Sequence, residues 1–173
     1  MKKKKIVMLT ILIVLLFIVV LEFAIFIFRA FSSTQLDDVT PGIPCSEDLL
    51  EKSDVFFVIP KFEGKGIGNN SDWCEKMILY DKKLEMHGVY HTFNEFRIER
   101  DANYLDEGII EFTRCFGEKP SGFKAPQMDL LEKNRRMILE RGLRNYGPIN
   151  QILHKTYHCD DSGIISNALT ELI

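Results

Sequence analysis

At 173 residues and a formal charge of −3, with 46% hydrophobic and 27% charged residues, the chain has neither the basic excess of a nucleic-acid binder nor the composition of a disordered protein. Residues 1–33 carry five Lys/Arg and one Glu, which leaves 17 basic and 24 acidic residues beyond them and a local charge of −7, so no nucleic-acid partner is expected. The 140 residues after position 33 suffice for one domain with its own core, not two.

The N-terminus opens on four lysines, Lys2 to Lys5. Ile6 to Phe28 follows, 23 positions interrupted only by Thr10 and Glu22. An apolar helix needs roughly 20 residues to cross the hydrocarbon, so residues 6–28 are expected to contact the lipid bilayer as one transmembrane helix. The run exceeds the roughly 7–15 apolar residues of a cleaved signal, and no Ala-x-Ala-like site follows Phe28, which favours a retained signal-anchor. Lysines precede the span and only Arg29 follows it closely, so the positive-inside rule places the N-terminus in the cytoplasm. The expected location is a single-pass protein of the cell membrane with its C-terminal domain outside. Glu22 reads as a tolerated polar residue near the outer end of the span. Residues 1–33 are therefore expected to hold the lysine run, the anchor and a short linker, and residues 34–173 one outer domain.

In that domain Gln35 to Val39 closes a short strand, Pro41-Gly42-Ile43-Pro44 turns the chain, and Ser46 caps a helix to about Lys52. Val55 to Ile59 is a continuous run of β-formers ended by Pro60, the mark of a strand buried on both faces in a parallel sheet. Lys61 to Ser71 reads as loop, Asp72 to about Lys82 as helix with Trp73, Met77 and Tyr80 on one side, and Leu84 to Val89 as strand. Leu105, Ile109, Phe112 and Phe116 recur at helical spacing within Asn103 to Phe116, closed by Gly117. Gly122 to Pro126 follows as strand, Asp129 to Arg141 as helix ended by Gly142, Ile149 to Leu153 as strand, and Ser162 to Ile173 as helix. Strands alternating with helices predict an α/β class with a mainly parallel sheet. Its strand ends gather polar residues into a site; Asp37, Asp38, His87, His91, Lys124 and His154 all fall there.

Cys45, Cys74, Cys115 and Cys159 can form two disulfides in an oxidising exterior, in any of three connectivities. Buried free thiols at Cys74 and Cys115 are the alternative, and with no Cys-x-x-Cys pair a zinc knuckle is not expected. Asn69-Asn70-Ser71 is a glycosylation sequon in an external loop.

One carboxylate and two imidazoles suffice to bind a divalent transition metal with a position left open. Asp37-Asp38 alone reads first as a hydrogen-bonded turn before Thr40-Pro41-Gly42. His87 and His91, four residues apart on a helical turn or a tight strand-to-loop bend, can aim two imidazoles at one ion. His154 and His158 share that spacing and read as a second site, a general acid, or a strand end entering a solvated turn. Cys159 beside His158 lacks any oxyanion motif and reads as a disulfide or core residue.

Leu36-Asp37-Asp38-Val39-Thr40-Pro41 resembles the first motif, Thr-Phe-Asp-Asp-Gly, of the polysaccharide deacetylases (carbohydrate esterase family four, NodB-homology type), and the Phe-rich strand at Val55 to Ile59 follows as it does there. His87-Gly88-Val89-Tyr90-His91-Thr92 is similar to the second motif, His-Ser/Thr-x-x-His-Pro, and Phe123-Lys124-Ala125-Pro126 stands where Arg-x-Pro is expected. The order holds over about residues 34 to 160. The resemblance implies a distorted or incomplete (β/α) barrel. It also implies a hydrolase of carbohydrate metabolism that removes N- or O-linked acetyl groups from a cell-surface glycan or glycolipid. Asp37 would be the catalytic base, Asp38, His87 and His91 the metal ligands, Lys124 the partner of the base, and His154 the general acid with His158 its competitor. Zinc is the first expectation for the metal, with cobalt, nickel and manganese open. Gly88, Thr92 and Lys124 depart from the motifs, and the domain is short for a seven-stranded barrel. The alternative expectation is a catalytically silent glycan-binding or envelope-scaffolding domain.

Overall fold

The computed structural model describes residues 2–172. A long first helix, α1 (Lys2–Phe31), presents apolar side chains on every side, and from Ile6 to Phe28 nearly all are exposed. A helix with no polar face has no surface suited to water; its length and composition are compatible with a single-pass membrane anchor.

Six strands follow: β1 (Gln35–Val39), β2 (Val55–Val58), β3 (Lys83–His87), β4 (Gly122–Lys124), β5 (Arg144–Tyr146) and β6 (Thr156–His158). They form one sheet in the order β5-β4-β3-β2-β1-β6, with every neighbouring pair parallel. The sheet curls into a half-barrel, left open between β5 and β6. Seven helices in all include α2 (Glu47–Lys52), α3 (Ser71–Leu79), α4 (Ala102–Phe116), α5 (Glu132–Glu140), α6 (Pro148–Leu153) and α7 (Asn167–Leu172) among the described residues. The short helix α6 links the two edge strands, and Gln35 Nε2 on β1 donates to Asn150 Oδ1 on it at 2.9 Å.

Strand side chains alternate between faces, and here the alternation separates core from site. Leu36, Phe56, Val58, Met86, Phe123 and Tyr157 face outward into the hydrophobic core. Gln35, Asp37, Glu85, His87, Lys124 and Thr156 occupy the intervening positions and are buried as well. An open half-barrel thus has an apolar outer layer under the helices and a polar interior. The helix α4 supplies much of the outer layer through Leu105, Ile109, Phe112 and Phe116. Asp101 caps its start by accepting from Tyr104 N, and Gly117 ends it at φ +76°, a left-handed conformation that glycine adopts without a Cβ clash.

Several boundaries differ from those expected. Ile149 to Leu153 is not a strand but the helix α6: Pro148 stands in its first turn, where a fixed φ favours helix and the missing N–H costs nothing. The edge strands are instead β5 and β6, three residues each. The third strand stops at His87 because Gly88 turns the chain at φ +63°. Helix α5 starts three residues later than expected, at Glu132, and the final helix is confined to Asn167–Leu172; position 173 of that expectation lies outside the described residues.

The four cysteines pair as Cys45–Cys159 and Cys74–Cys115, with Cα separations of 4.4 and 5.4 Å, so Cys74 and Cys115 are not free thiols. The first pair closes 114 residues and ties the loop after β1 to the end of β6; the second joins α3 to α4. Peptide mapping without reductant is expected to recover these two pairings and no other. Reduction is expected to lower unfolding stability by about 2–5 kcal/mol for each bond, read from denaturant curves; unchanged curves would show that the pairs do not hold the fold.

Candidate metal centre

Neighbouring strand residues point to opposite faces, yet Asp37 and Asp38 both reach the interior. Three steps along β1, from Leu36 to Val39, pair with two along β2, from Phe56 to Val58, which makes a bulge. Asp38 absorbs the extra residue at φ +66°. A left-handed non-glycine residue costs about 1–3 kcal/mol, less for Asp than for most side chains. Both carboxylates are buried.

Asp38 Oδ1 lies 3.0 Å from His91 Nε2 and 3.5 Å from His87 Nε2. The three ligand atoms fall within 4.8 Å of one another. Despite these short approaches, Asp38 Oδ1 is buried and accepts no hydrogen bond. Asp38 Oδ2 is engaged on the far side, accepting from Ser162 Oγ at 3.2 Å. His87 Nδ1 is 3.1 Å from the Lys124 carbonyl oxygen; with the proton on Nδ1 it donates there and leaves the Nε2 lone pair aimed at Asp38. Burial works against the Asp38 carboxylate, but the two imidazoles outweigh it and hold the carboxyl below its ordinary range. For His87, burial opposes the charged ring, and the Asp37 charge with the Asp38 contact overcomes it, so its pKa is raised. An acceptor without a donor, faced by two ring nitrogens, fits a divalent cation in chemistry and in geometry.

Asp37 is held from the other direction. Lys124 Nζ lies 2.8 Å from its Oδ2 and 2.9 Å from its Oδ1, bridging both oxygens, and contacts Gln35 Oε1 at 3.2 Å. Its ammonium also sits 4.5 Å from the centre of the Phe57 ring. Lys124 is fully buried, which lowers its pKa, an effect the Asp37 charge offsets in part. The lysine therefore grips both carboxylate oxygens with a single nitrogen, where a guanidinium would use a fork. Facing the same carboxylate, His158 Nε2 is 3.7 Å from Asp37 Oδ2, and its Nδ1 is buried without a partner. His154 lines the same cavity, but its Nδ1 contacts the Asn150 carbonyl at 2.8 Å and its ring stands edge-on to Phe28 of α1. The structure thus gathers Asp37, Asp38, His87, His91, Lys124 and His158, and places His154 on the wall of the same cavity, engaged by Asn150 and Phe28.

Sequence reading missed Glu95. Its buried carboxylate accepts from the backbone N–H of Val89 at 3.0 Å, Tyr90 at 2.8 Å and His91 at 3.1 Å, and from the Tyr104 hydroxyl at 2.7 Å. Burial, reinforced by that bond to Glu95, raises the Tyr104 phenol well above its ordinary pKa. The carboxylate fixes the bend that turns His91 back toward His87, with His91 itself at φ +60°. It also explains Gly88: a Cβ there would lie 2.3 Å from Glu95 Oε2 and 2.6 Å from Pro126 Cγ. The space a Ser or Thr side chain would use to brace this loop belongs here to Glu95. Glu95→Ala leaves three backbone N–H groups, one buried and two partly buried, without their acceptor and is expected to cost about 2–4 kcal/mol of stability. It is also expected to weaken transition-metal binding about 10- to 100-fold in titrations; unchanged metal affinity in a folded variant would show that the loop holds its shape without Glu95.

No family model and no curated protein matches this sequence. Solved structures do. The Bc1960 peptidoglycan N-acetylglucosamine deacetylase superposes with a TM-score of 0.51 at 15% identity, over 65% of this chain and 54% of that one. A mutant of a pseudoenzyme of carbohydrate esterase family 4 superposes with a TM-score of 0.50 at 9% identity, over 65% of this chain and 42% of that one. The unmutated pseudoenzyme, from Bacillus anthracis, gives a TM-score of 0.46 at 12% identity, over 54% and 32%. The chain spans about a third to a half of the length of these proteins. Six parallel strands in a curled, open sheet, matched at this level, give the chain the fold of the family 4 polysaccharide deacetylases in a shortened form.

Proposed function

We propose that this chain is a membrane-anchored, metal-dependent deacetylase that acts outside the cell on an N- or O-acetylated cell-surface glycan or glycolipid. The observation that carries the reading is Asp38 Oδ1, buried without a hydrogen bond between His87 Nε2 and His91 Nε2. Residues 1–33 supply the anchor, with the N-terminus cytoplasmic, and residues 34–173 the outer domain.

Asp38, His87 and His91 would hold zinc, or cobalt, nickel or manganese. A cation there would act as a Lewis acid on an acyl carbonyl and make water a better nucleophile at neutral pH. The remaining work belongs to side chains. Asp37 takes a proton from the attacking water as its oxygen bonds to the acyl carbon. Lys124 fixes both Asp37 oxygens so that the carboxylate meets the water in one orientation. His158, on the other side of Asp37, gives a proton to the leaving nitrogen or oxygen as its bond to the acyl carbon breaks. The products are acetate and a free amine or hydroxyl. His154 is the weaker choice for this acid, because its Nδ1 contact with Asn150 and its packing on Phe28 turn it to the α1 side.

Full-length protein purified without chelator is expected to carry about one equivalent of transition metal by mass spectrometry and to release acetate from acetylated oligosaccharides. Asp38→Ala is expected to lose both together. Asp37→Asn is expected to keep the metal and lose about 10²- to 10⁴-fold in kcat. Retained acetate release in Asp38→Ala would remove the mechanism. Bound metal and glycan without turnover would favour the silent glycan-binding or scaffolding alternative.

A further inference from the structure

One cavity of about 380 Å³ occupies the half-barrel. The register fixes its two ends. Asp37 lies opposite His158 toward the ends of β1 and β6, whereas Gln35 lies opposite Thr156 at their starts. Asp38, His87 and His91 line the first end, and Arg29, Gln151 and Thr156 line the second. Arg29 belongs to α1, which docks on the last residues of α6: its Nη1 donates a long, 3.4 Å hydrogen bond to the Ile152 carbonyl, and Ser32 Oγ donates to the Leu153 carbonyl at 2.8 Å.

Each residue of the second end holds a buried polar atom with no partner: Arg29 Nε, Gln151 Oε1 and Thr156 Oγ1. Thr156 is 6% exposed. Buried polar groups almost always find partners. Three that do not, all on residues lining one cavity and one of them within a guanidinium, describe a subsite for an oxygen-rich anion. The hydroxyl can donate, and the Gln151 amide can turn either its oxygen or its nitrogen toward a ligand.

The place of Arg29 in the chain identifies the anion's source. It directly follows Phe28, the last apolar position of the span, so with α1 in a bilayer its guanidinium stands at the depth of lipid phosphates. We propose that Arg29, Gln151 and Thr156 bind the phosphate of a lipid-linked substrate, so that the acetylated sugar reaching Asp38, His87 and His91 is carried on a lipid phosphate. This rests on the anchor and deacetylase readings above. The span between the subsites suits it: Thr156 and His158 are two strand residues apart, about 7 Å, close to the reach of the bonds that join an anomeric phosphate to the acetyl carbon carried on the neighbouring ring carbon.

The test uses the full chain reconstituted in phosphatidylcholine vesicles and three N-acetylglucosamine probes: one on polyprenyl pyrophosphate, one on neutral diacylglycerol, and a soluble tetramer. The pyrophosphate-linked probe is expected to show the highest kcat/KM for acetate release. Arg29→Gln and the near-isosteric Thr156→Val are each expected to cut its advantage over the neutral lipid about tenfold. Equal kcat/KM for the two lipid probes, or an advantage that survives both substitutions, overturns the proposal and leaves the deacetylase reading standing. If no probe yields acetate, the deacetylase reading falls and equilibrium binding of radiolabelled pyrophosphate probe decides the subsite. Retention about tenfold weaker in Arg29→Gln supports it, and equal retention overturns it. Phosphatidylglycerol added at the same surface density separates the two sources of phosphate: displacement of the probe would make Arg29 a headgroup contact and overturn the substrate assignment, and failure to displace supports it.

Discussion

Two adjacent carboxylates must face one side of a strand, and the rest of the interior is arranged around that constraint. A regular strand would send Asp38 outward into the layer occupied by Leu36, Phe56 and Val58. The bulge between Leu36 and Val39 turns it inward instead, at the cost of a left-handed backbone at φ +66°. Once both acids are inside, neither can remain without compensation. Lys124 answers Asp37 and Ser162 answers one oxygen of Asp38, while the other oxygen, facing His87 and His91 without a hydrogen bond, leaves the compensation to a cation. The pairing also gives the two acids different surroundings, since one carboxylate faces an ammonium and its neighbour two imidazoles.

The same logic recurs at the loop that carries His91. A buried carboxylate, Glu95, gathers three successive backbone N–H groups, so the loop is shaped by a side chain four residues downstream and not by its own turn sequence. Several other left-handed non-glycine residues, His91, Asn94, Gln127 and Met128, lie on this loop and on the facing turn after β4. Concentrated backbone strain of this kind persists only where surrounding contacts over-determine it. Here Asn94 N donates to Gln127 Oε1 at 3.1 Å, which ties the two strained turns together.

Much of this was legible in the sequence. Val55 to Ile59 read as a doubly buried strand because all its residues are β-formers, and both faces are indeed filled, one by core and one by Lys124 and His87 packing on Phe57. Asp37, Asp38, His87, His91 and Lys124 were named by spacing and motif, and the fold brings them together. Other features were hidden for physical reasons. Arg144–Tyr146 and Thr156–His158 are three residues long, too short to display a period, whereas Ile149 to Leu153 is apolar enough to imitate a strand until Pro148 and the α6 geometry settle it. Glu95 carries no local signal, because its partners are backbone groups that only the folded bend collects. What distinguishes His154 from His158 is the neighbour each meets in the fold, Asn150 and Phe28 for the first and Asp37 for the second, which no spacing encodes.

Only Ser32, Ser33 and Thr34 separate α1 from β1, and Ser32 is itself bonded to α6. Three residues extend about 10 Å, and the contact with α6 takes up part of that slack. With α1 in a bilayer, the domain is therefore moored, not tethered: its working radius is set by its own diameter and hardly at all by a leash. Anything lying beyond one domain's thickness from that bilayer is out of range. The deacetylase proposed above would then reach only material still passing the membrane surface, before that material joins the layers outside.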